Sequence, residues 1–243
     1  MACVLCRKDR ELEESHILSK FIYKLLKEPE GKMYVLSEDP SQKNRTRQDG
    51  VKEYLLCGEC EDKREKWETY FSNKWHRGEL FGKSDPYRIE GLDYCKFKLF
   101  LMSALFMASV SRDPLFEGIK LTPSSFEKLR QMVDAGDPGQ PDEYGCSIMM
   151  LEDGEKELDP KILIGNAVTI KKNGFRIHRF LFGGFFLGFI EPEGMNIGQD
   201  VRKAYITKEG SILIRKKKIQ DLGSLMHTFW NLKGQGKLDE EKA

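Results

Sequence analysis

Four cysteines, arranged as the Cys-x-x-Cys pairs Cys3/Cys6 and Cys57/Cys60, are the residues whose spacing most directly specifies chemistry. Each pair sets two thiolates on one tight turn, and two such turns facing each other supply the four sulfurs of a tetrahedral zinc site. A shell of four thiolates leaves no coordination position for substrate, so the ion expected is structural Zn2+. A thioredoxin-like redox motif is the competing reading of a single pair, but no βαβ pattern surrounds either one. Cys95 and Cys146 stand alone and read as small buried or partly buried residues.

The elements around the pairs have to bring residues more than 50 positions apart onto one ion. The first pair lies on an N-terminal knuckle. The second lies in LLCGEC, where a short strand over Tyr54–Leu56 runs into the start of a helix. That helix extends from Glu61 to about His76, with Trp67, Tyr70, Phe71, Lys74 and Trp75 on one side. A knuckle, an intervening β element and a helix carrying the last ligands form a treble clef. Between the pairs, SHILSKFIYKLLKE has helical spacing with Ser15 or Ser19 as cap, and the turn-rich 29–50 stretch holds one short strand at Met33–Leu36.

The remaining chain completes an α+β fold of central helices, a β-rich section and a closing helix. Tyr94–Ser111 is apolar almost all round and reads as a buried helix, and Thr122-Pro123 opens a second helix with stripe Phe126, Leu129, Met132 and Val133. Strands are expected at Ser147–Leu151, Ile162–Ile170, Phe175–Phe182, Phe185–Ile190, Lys203–Thr207 and Ser211–Lys217, before a helix over Asp221–Leu232 and a frayed tail. The organisation expected is a zinc module over 1–80 and a larger section over 81–243, with its β-rich part starting near 136–144. The apolar 175–190 stretch reads as core, or as a surface for a protein partner.

Forty Lys and Arg against 39 Asp and Glu give a formal charge of +1, which excludes a globally basic nucleic-acid binder. Residues 1–80 are balanced as well, with 16 basic and 16 acidic side chains. Local patches remain: Lys43, Arg45 and Arg47, and the run Arg215–Lys218; solvated loop charge is the default reading of both. No apolar run is long enough for a bilayer, and no leader pattern stands at the start, so a cytoplasmic protein without a membrane partner is expected.

The ordered elements CVLC, SHIL, RQDG, LLCGECE and KWETYF resemble the HNH, or ββα-metal, endonucleases that carry a four-cysteine zinc site. They look closest to a bacterial group with C-x-x-C, SHI, QDG and LLC-x-x-CE in this order. The resemblance covers about residues 1–77. It implies metal-dependent hydrolysis of phosphodiester bonds in DNA or RNA, with a place in phage defence or mobile-element biology. His16 matches the histidine that takes a proton from the attacking water. Glu61 stands where the family has a metal-binding histidine and is a candidate ligand for catalytic Mg2+ or Mn2+. Asn44 or Asp49 would orient the base, while Lys43, Arg45 and Arg47 would contact nucleic acid. Ser15 occupies the place of an acidic metal ligand, for which Glu13, Glu14 or Asp62 are substitutes. The other readings are an inactive zinc-stabilised module that binds nucleic acid or protein, and a structural subunit of a larger complex. As helix residues, Glu61 and Glu68 also suit a negative first-turn position, and His76, His178 and His227 have no ligand partners at useful spacing.

Overall fold

The computed structural model describes residues 1–24, 26, 33–35, 40–41, 43–154, 159–172, 174–191 and 198–237. Strand β1 (Leu12–His16) is followed by a short helix α1 (Lys20–Lys24). An antiparallel pair, β2 (Met33–Val35) with β3 (Arg45–Arg47), comes next, and β4 (Lys52–Cys57) then returns to pair antiparallel with β1. The β1–β4 register runs from Leu12↔Cys57 to His16↔Lys52, with a bulge between Glu13 and Glu14. β4 passes directly into helix α2 (Gly58–His76), as the strand-to-helix reading of LLCGEC expects.

The helix expected over SHILSKFIYKLLKE begins only at Lys20, and residues 25, 27 and 28 of that stretch lie outside the described residues. Ser15 is no cap: its hydroxyl accepts the Leu56 N–H at 3.3 Å, and the Ile17 N–H donates to Val51 O at 3.0 Å. Pairing with β4 satisfies these backbone groups and outweighs helical propensity. Leu36, expected to end the first short strand, also lies outside the described residues.

The second part begins with β5 (Tyr87–Ile89), then helices α3 (Tyr94–Val110) and α4 (Pro123–Ala135). α3 is capped by Asp93 and buried along nearly its whole length. α4 has Thr122 as N-cap, Pro123 in its first turn and the left-handed Gly136 at its end. β6 (Cys146–Glu152), β7 (Ile164–Lys172), β8 (Phe175–Phe182) and β9 (Phe185–Ile190) precede a four-residue helix α5 (Gln199–Arg202). β10 (Ile212–Lys218) and α6 (Gly223–Gly234) complete the described chain. One six-stranded sheet has the order β5-β10-β6-β9-β8-β7, in which only β10 and β6 run parallel.

Two expectations are corrected. Lys203–Thr207 is a turn, not a strand: Ala204 N–H bonds to Val201 O and Tyr205 N–H to Arg202 O, while Tyr205 and Ile206 are buried as plugs. Cys95 is exposed, because it lies in the first turn of α3, ahead of the stretch from Phe97 to Ala108 that is buried on all sides. For the 175–190 stretch, burial supports the core reading of the two expected. Phe180, Leu181, Phe182, Phe185, Leu187, Phe189 and Ile190 are all buried in the chain's own core. Of the expected tail, residues 238–243 lie outside the described residues.

One hydrophobic cluster runs across position 80, joining Phe71 and Trp75 of α2 to α3 and to the sheet. Phe71 stacks on Phe100 with ring centroids 4.0 Å apart, and Trp75 meets Phe185 edge-on at 4.9 Å. The β8–β9 turn is Gly183-Gly184, both with positive φ, and a Cβ on Gly183 would lie 2.9 Å from the Trp75 ring. Among the described residues, no helix is long and apolar enough to cross a membrane.

A buried polar clamp fixes α4 to the sheet. Glu191 accepts from the Thr122 N–H at 2.9 Å and from its hydroxyl at 2.5 Å, and His178 Nε2 lies 3.3 Å from its other oxygen. Burial alone would push the Glu191 carboxyl up, but hydrogen bonds from His178, Thr122 and Ser125 outweigh it and hold the carboxyl at about 2. Two outcomes are expected. Trp75→Ala should cost about 3–5 kcal/mol by denaturant titration, with one transition because the cluster is continuous. A Glu191 carboxyl depressed from 4.5 to about 2 stabilises the fold above the ordinary value, and that contribution is lost as pH falls through this window. Glu191→Gln should therefore lower stability at neutral pH and show a weaker acid dependence between those values than the unaltered chain.

Candidate functional site

Cys3 and Cys6 sit on a knuckle closed by Arg7 N–H to Cys3 O at 2.8 Å, with Arg7 itself at φ 60. The Val4 N–H donates to Leu55 O at 3.0 Å, which ties the knuckle to β4. Cys57 is the extended N-cap residue of α2, and Cys60 lies in its first turn. All four sulfurs lie within 4.8 Å of one another, close enough to hold a metal ion. Cys6 Sγ and Cys57 Sγ are 3.9 Å apart. A tetrahedron with Zn–S bonds of about 2.3 Å has an edge of about 3.8 Å, so the arrangement is compatible with structural zinc. Burial, and then the neighbouring Cys3 charge, push the Cys60 thiol up. Four thiolates at this distance require a cation among them.

An arginine from another helix braces the knuckle. Arg130 of α4, 8% exposed, donates to Leu5 O and pairs with Glu127, which also receives Arg7. Lys63 of α2 reaches Asp134 of α4 at 3.0 Å. The chain between the sulfurs is thereby held from outside as well.

At the other end of the β1–β4 ribbon stands His16. Its Nε2 lies 3.3 Å from Asp49 Oδ1, and the Asp49 carboxylate is itself held by Lys52 at 2.6 Å and by the Gly50 N–H at 2.9 Å. The Lys52 ammonium holds the Asp49 carboxyl far below the ordinary carboxylate range. Burial lowers the His16 pKa below 6.5, with Lys52 and Lys20 adding to the shift and Asp49 opposing it. The imidazole is therefore neutral at neutral pH, with Nε2 engaged by Asp49 and Nδ1 as its second nitrogen.

Of the two candidates for orienting His16, Asp49 is the one beside it. Asn44 is turned elsewhere: its Nδ2 donates to Lys237 O at 2.9 Å. That expectation for Asn44 is corrected by a contact 193 positions away, which spacing cannot reveal. Glu61 lies on the first turn of α2, where its carboxylate oxygens are 3.4 and 3.5 Å from Arg64 Nη1. Among the described residues, the cysteine quartet is the only group of three or more such side chains close enough to hold a metal. Glu61 thus belongs to no preassembled cage, and an ion there would have to share oxygens with a substrate phosphate. Lys43, Arg45 and Arg47 are exposed, on or beside β3, with Arg47 2.9 Å from Asp113.

Sequence reasoning missed Arg64. It is 2% exposed and contacts His16 O, Glu61 and Glu68. Its signal was the Glu61-x-x-Arg64-x-x-x-Glu68 spacing, which puts both carboxylates on the arginine's face of the helix.

Cys57→Ser should lose the bound zinc by elemental analysis and lower the thermal midpoint, because binding energy at such a site is folding energy. Cys95→Ser should keep one equivalent. A full equivalent in the Cys57 variant would remove the four-cysteine assignment.

No family, no curated protein and no solved structure matches the chain, so the site's chemistry rests on its own residues.

Proposed function

We propose that the chain is a zinc-stabilised, HNH-like phosphodiester hydrolase acting on DNA or RNA, built on a treble clef whose four cysteines hold structural zinc. The observation that carries this reading is the His16–Asp49 pair, 3.3 Å apart, between the end of the ribbon that the cysteine quartet anchors and the loop before β4. The His16 end and the Cys57 end of β1–β4 are separated by four strand steps, about 13 Å at 3.3 Å each. Zinc would fix one end of the ribbon and leave the other to present the base.

In this reading neutral His16 takes a proton from water through Nδ1, while Asp49 holds Nε2–H and stabilises the imidazolium that forms. A divalent ion, Mg2+ or Mn2+, would neutralise the phosphate, with Glu61 as its candidate protein ligand. Lys43, Arg45 and Arg47 supply local positive charge where the module as a whole has none.

The second reading is an inactive module that binds nucleic acid through the same basic residues. The Arg64 contact to Glu61 favours it, since a guanidinium opposes a second cation on that carboxylate. Cleavage assays on single- and double-stranded DNA and RNA with Mg2+ or Mn2+ separate the two. For a hydrolase, His16→Ala should reduce the rate by about 10²–10⁴-fold. Because the base must be neutral, activity should fall as pH drops through the lowered His16 pKa, beneath 6.5. Intact substrates in every combination would sink hydrolysis; salt-sensitive binding lost on replacing Arg45 and Arg47 would then establish the second reading.

A further inference from the structure

Arg64 lies four residues beyond Cys60, on the same helix, and is almost wholly buried. Its Nη2 donates to Glu68 Oε1 at 2.7 Å and to the His16 carbonyl oxygen at 3.2 Å. The Glu61 contact is longer, at 3.4 and 3.5 Å from Nη1. Glu68 is also hydrogen-bonded by the Ser19 side chain, at the start of α1. Its principal counter-charge is therefore Glu68, and Glu61 is the more loosely held of the two.

We propose that Arg64 is a positioning residue for His16, fixing the main chain of the base to α2, with Glu68 as the counter-charge that aims the guanidinium. This rests on reading His16 as the base and adds how that base is held. The His16 segment is secured on both sides, by Leu56 N–H to Ser15 Oγ and by Ile17 N–H to Val51 O. Asp49 secures the ring. What remains is the carbonyl of His16 itself, which Arg64 Nη2 reaches together with Glu68, while Nη1 of the same planar group faces Glu61. α2 cannot shift to relax these contacts, since Cys57 and Cys60 bind its start and Trp67, Phe71 and Trp75 lie in the core.

A buried ion pair that served stability alone could be exchanged for apolar side chains with little loss. The ordinary alternative is therefore that Arg64 and Glu68 only pack, and a double variant distinguishes the two. Arg64→Met/Glu68→Leu removes the pair without a net change of charge and keeps the volume filled. Arg64→Lys keeps the charge and loses the fork.

His16 is then titrated by NMR of its ring, in full-length zinc-loaded protein whose metal content and near-UV circular dichroism match the unaltered chain. The groups facing the ring, Asp49 and Lys52 of the ribbon and Lys20 and Tyr23 of α1, are unchanged in both variants. With its carbonyl released the ring gains solvent, so its pKa should rise by about half a pH unit toward the ordinary 6.5. The double variant decides: a rise supports the proposal, and an unchanged titration in the folded protein overturns it. A smaller rise in Arg64→Lys adds that the fork, beyond its charge, does the positioning. On a cleaved substrate, kcat should fall about ten-fold at unchanged KM. Absence of cleavage by the unaltered chain would reject hydrolysis, while the titration would still judge the role of Arg64.

Discussion

The gathering of four sulfurs from opposite ends of a 60-residue segment is the constraint on which the N-terminal architecture depends. Four cysteines within 4.8 Å, three of them almost wholly buried, cannot all be thiolates in the absence of a cation. Local backbone structure supplies the geometric half of that requirement. The knuckle is closed by its own backbone hydrogen bonds, joined to β4 through Val4 and Leu55, and braced by Arg130 through Leu5 O. A metal would supply the electrostatic half. Its binding energy would then be folding energy, because the unfolded chain does not hold the four sulfurs together.

Helix α2 carries this order into the rest of the molecule. Its first turn holds Cys60, its second turn Arg64, and its last turns Phe71 and Trp75 in the shared core. Residues spaced by three or four thus serve the sulfur cluster, the His16 main chain and the aromatic core, on one rigid rod. The Gly183-Gly184 turn lets β8 and β9 approach Trp75 closely, so the β-rich section presses on the helix that aims the site.

Periodicity and spacing made the long elements legible: α2, α3, α4, and the strands of the apolar 175–190 run agree with their sequence patterns. The cysteine quartet was legible for the same reason, since ligand spacing is local. The short strands β1, β3 and β5 were not, because three to five residues carry too little pattern, and the partners of β1 and β5 lie far along the chain. Lys203–Thr207 misled in the opposite direction: an apolar, aromatic run resembles a strand, while Tyr205 and Ile206 enter the core from a turn. In the candidate site, His16 and Asp49 were named from their motif, and only the fold distinguishes Asp49 from Asn44. Arg64 escaped because a buried arginine is recognised by what surrounds it, and a sequence shows only that it is charged.

Charge balance takes on a different meaning at this scale. A chain with +1 overall has no field to draw nucleic acid from a distance, but at physiological ionic strength exposed charges act over only about 8 Å. The chemistry of His16 is governed by groups nearer than that: Asp49 at its ring, with Lys52 behind the carboxylate and Lys20 close by. Arg64, at its carbonyl, is neutralised by Glu68 and so contributes geometry more than field. The same locality bears on the basic strand β3, where Asp113 already meets Arg47. A phosphate arriving there would share the Arg47 guanidinium with that carboxylate, against its charge. Capture of a polyanion would therefore be weak and short-ranged, and selection would fall to the few contacts made once it is seated beside His16.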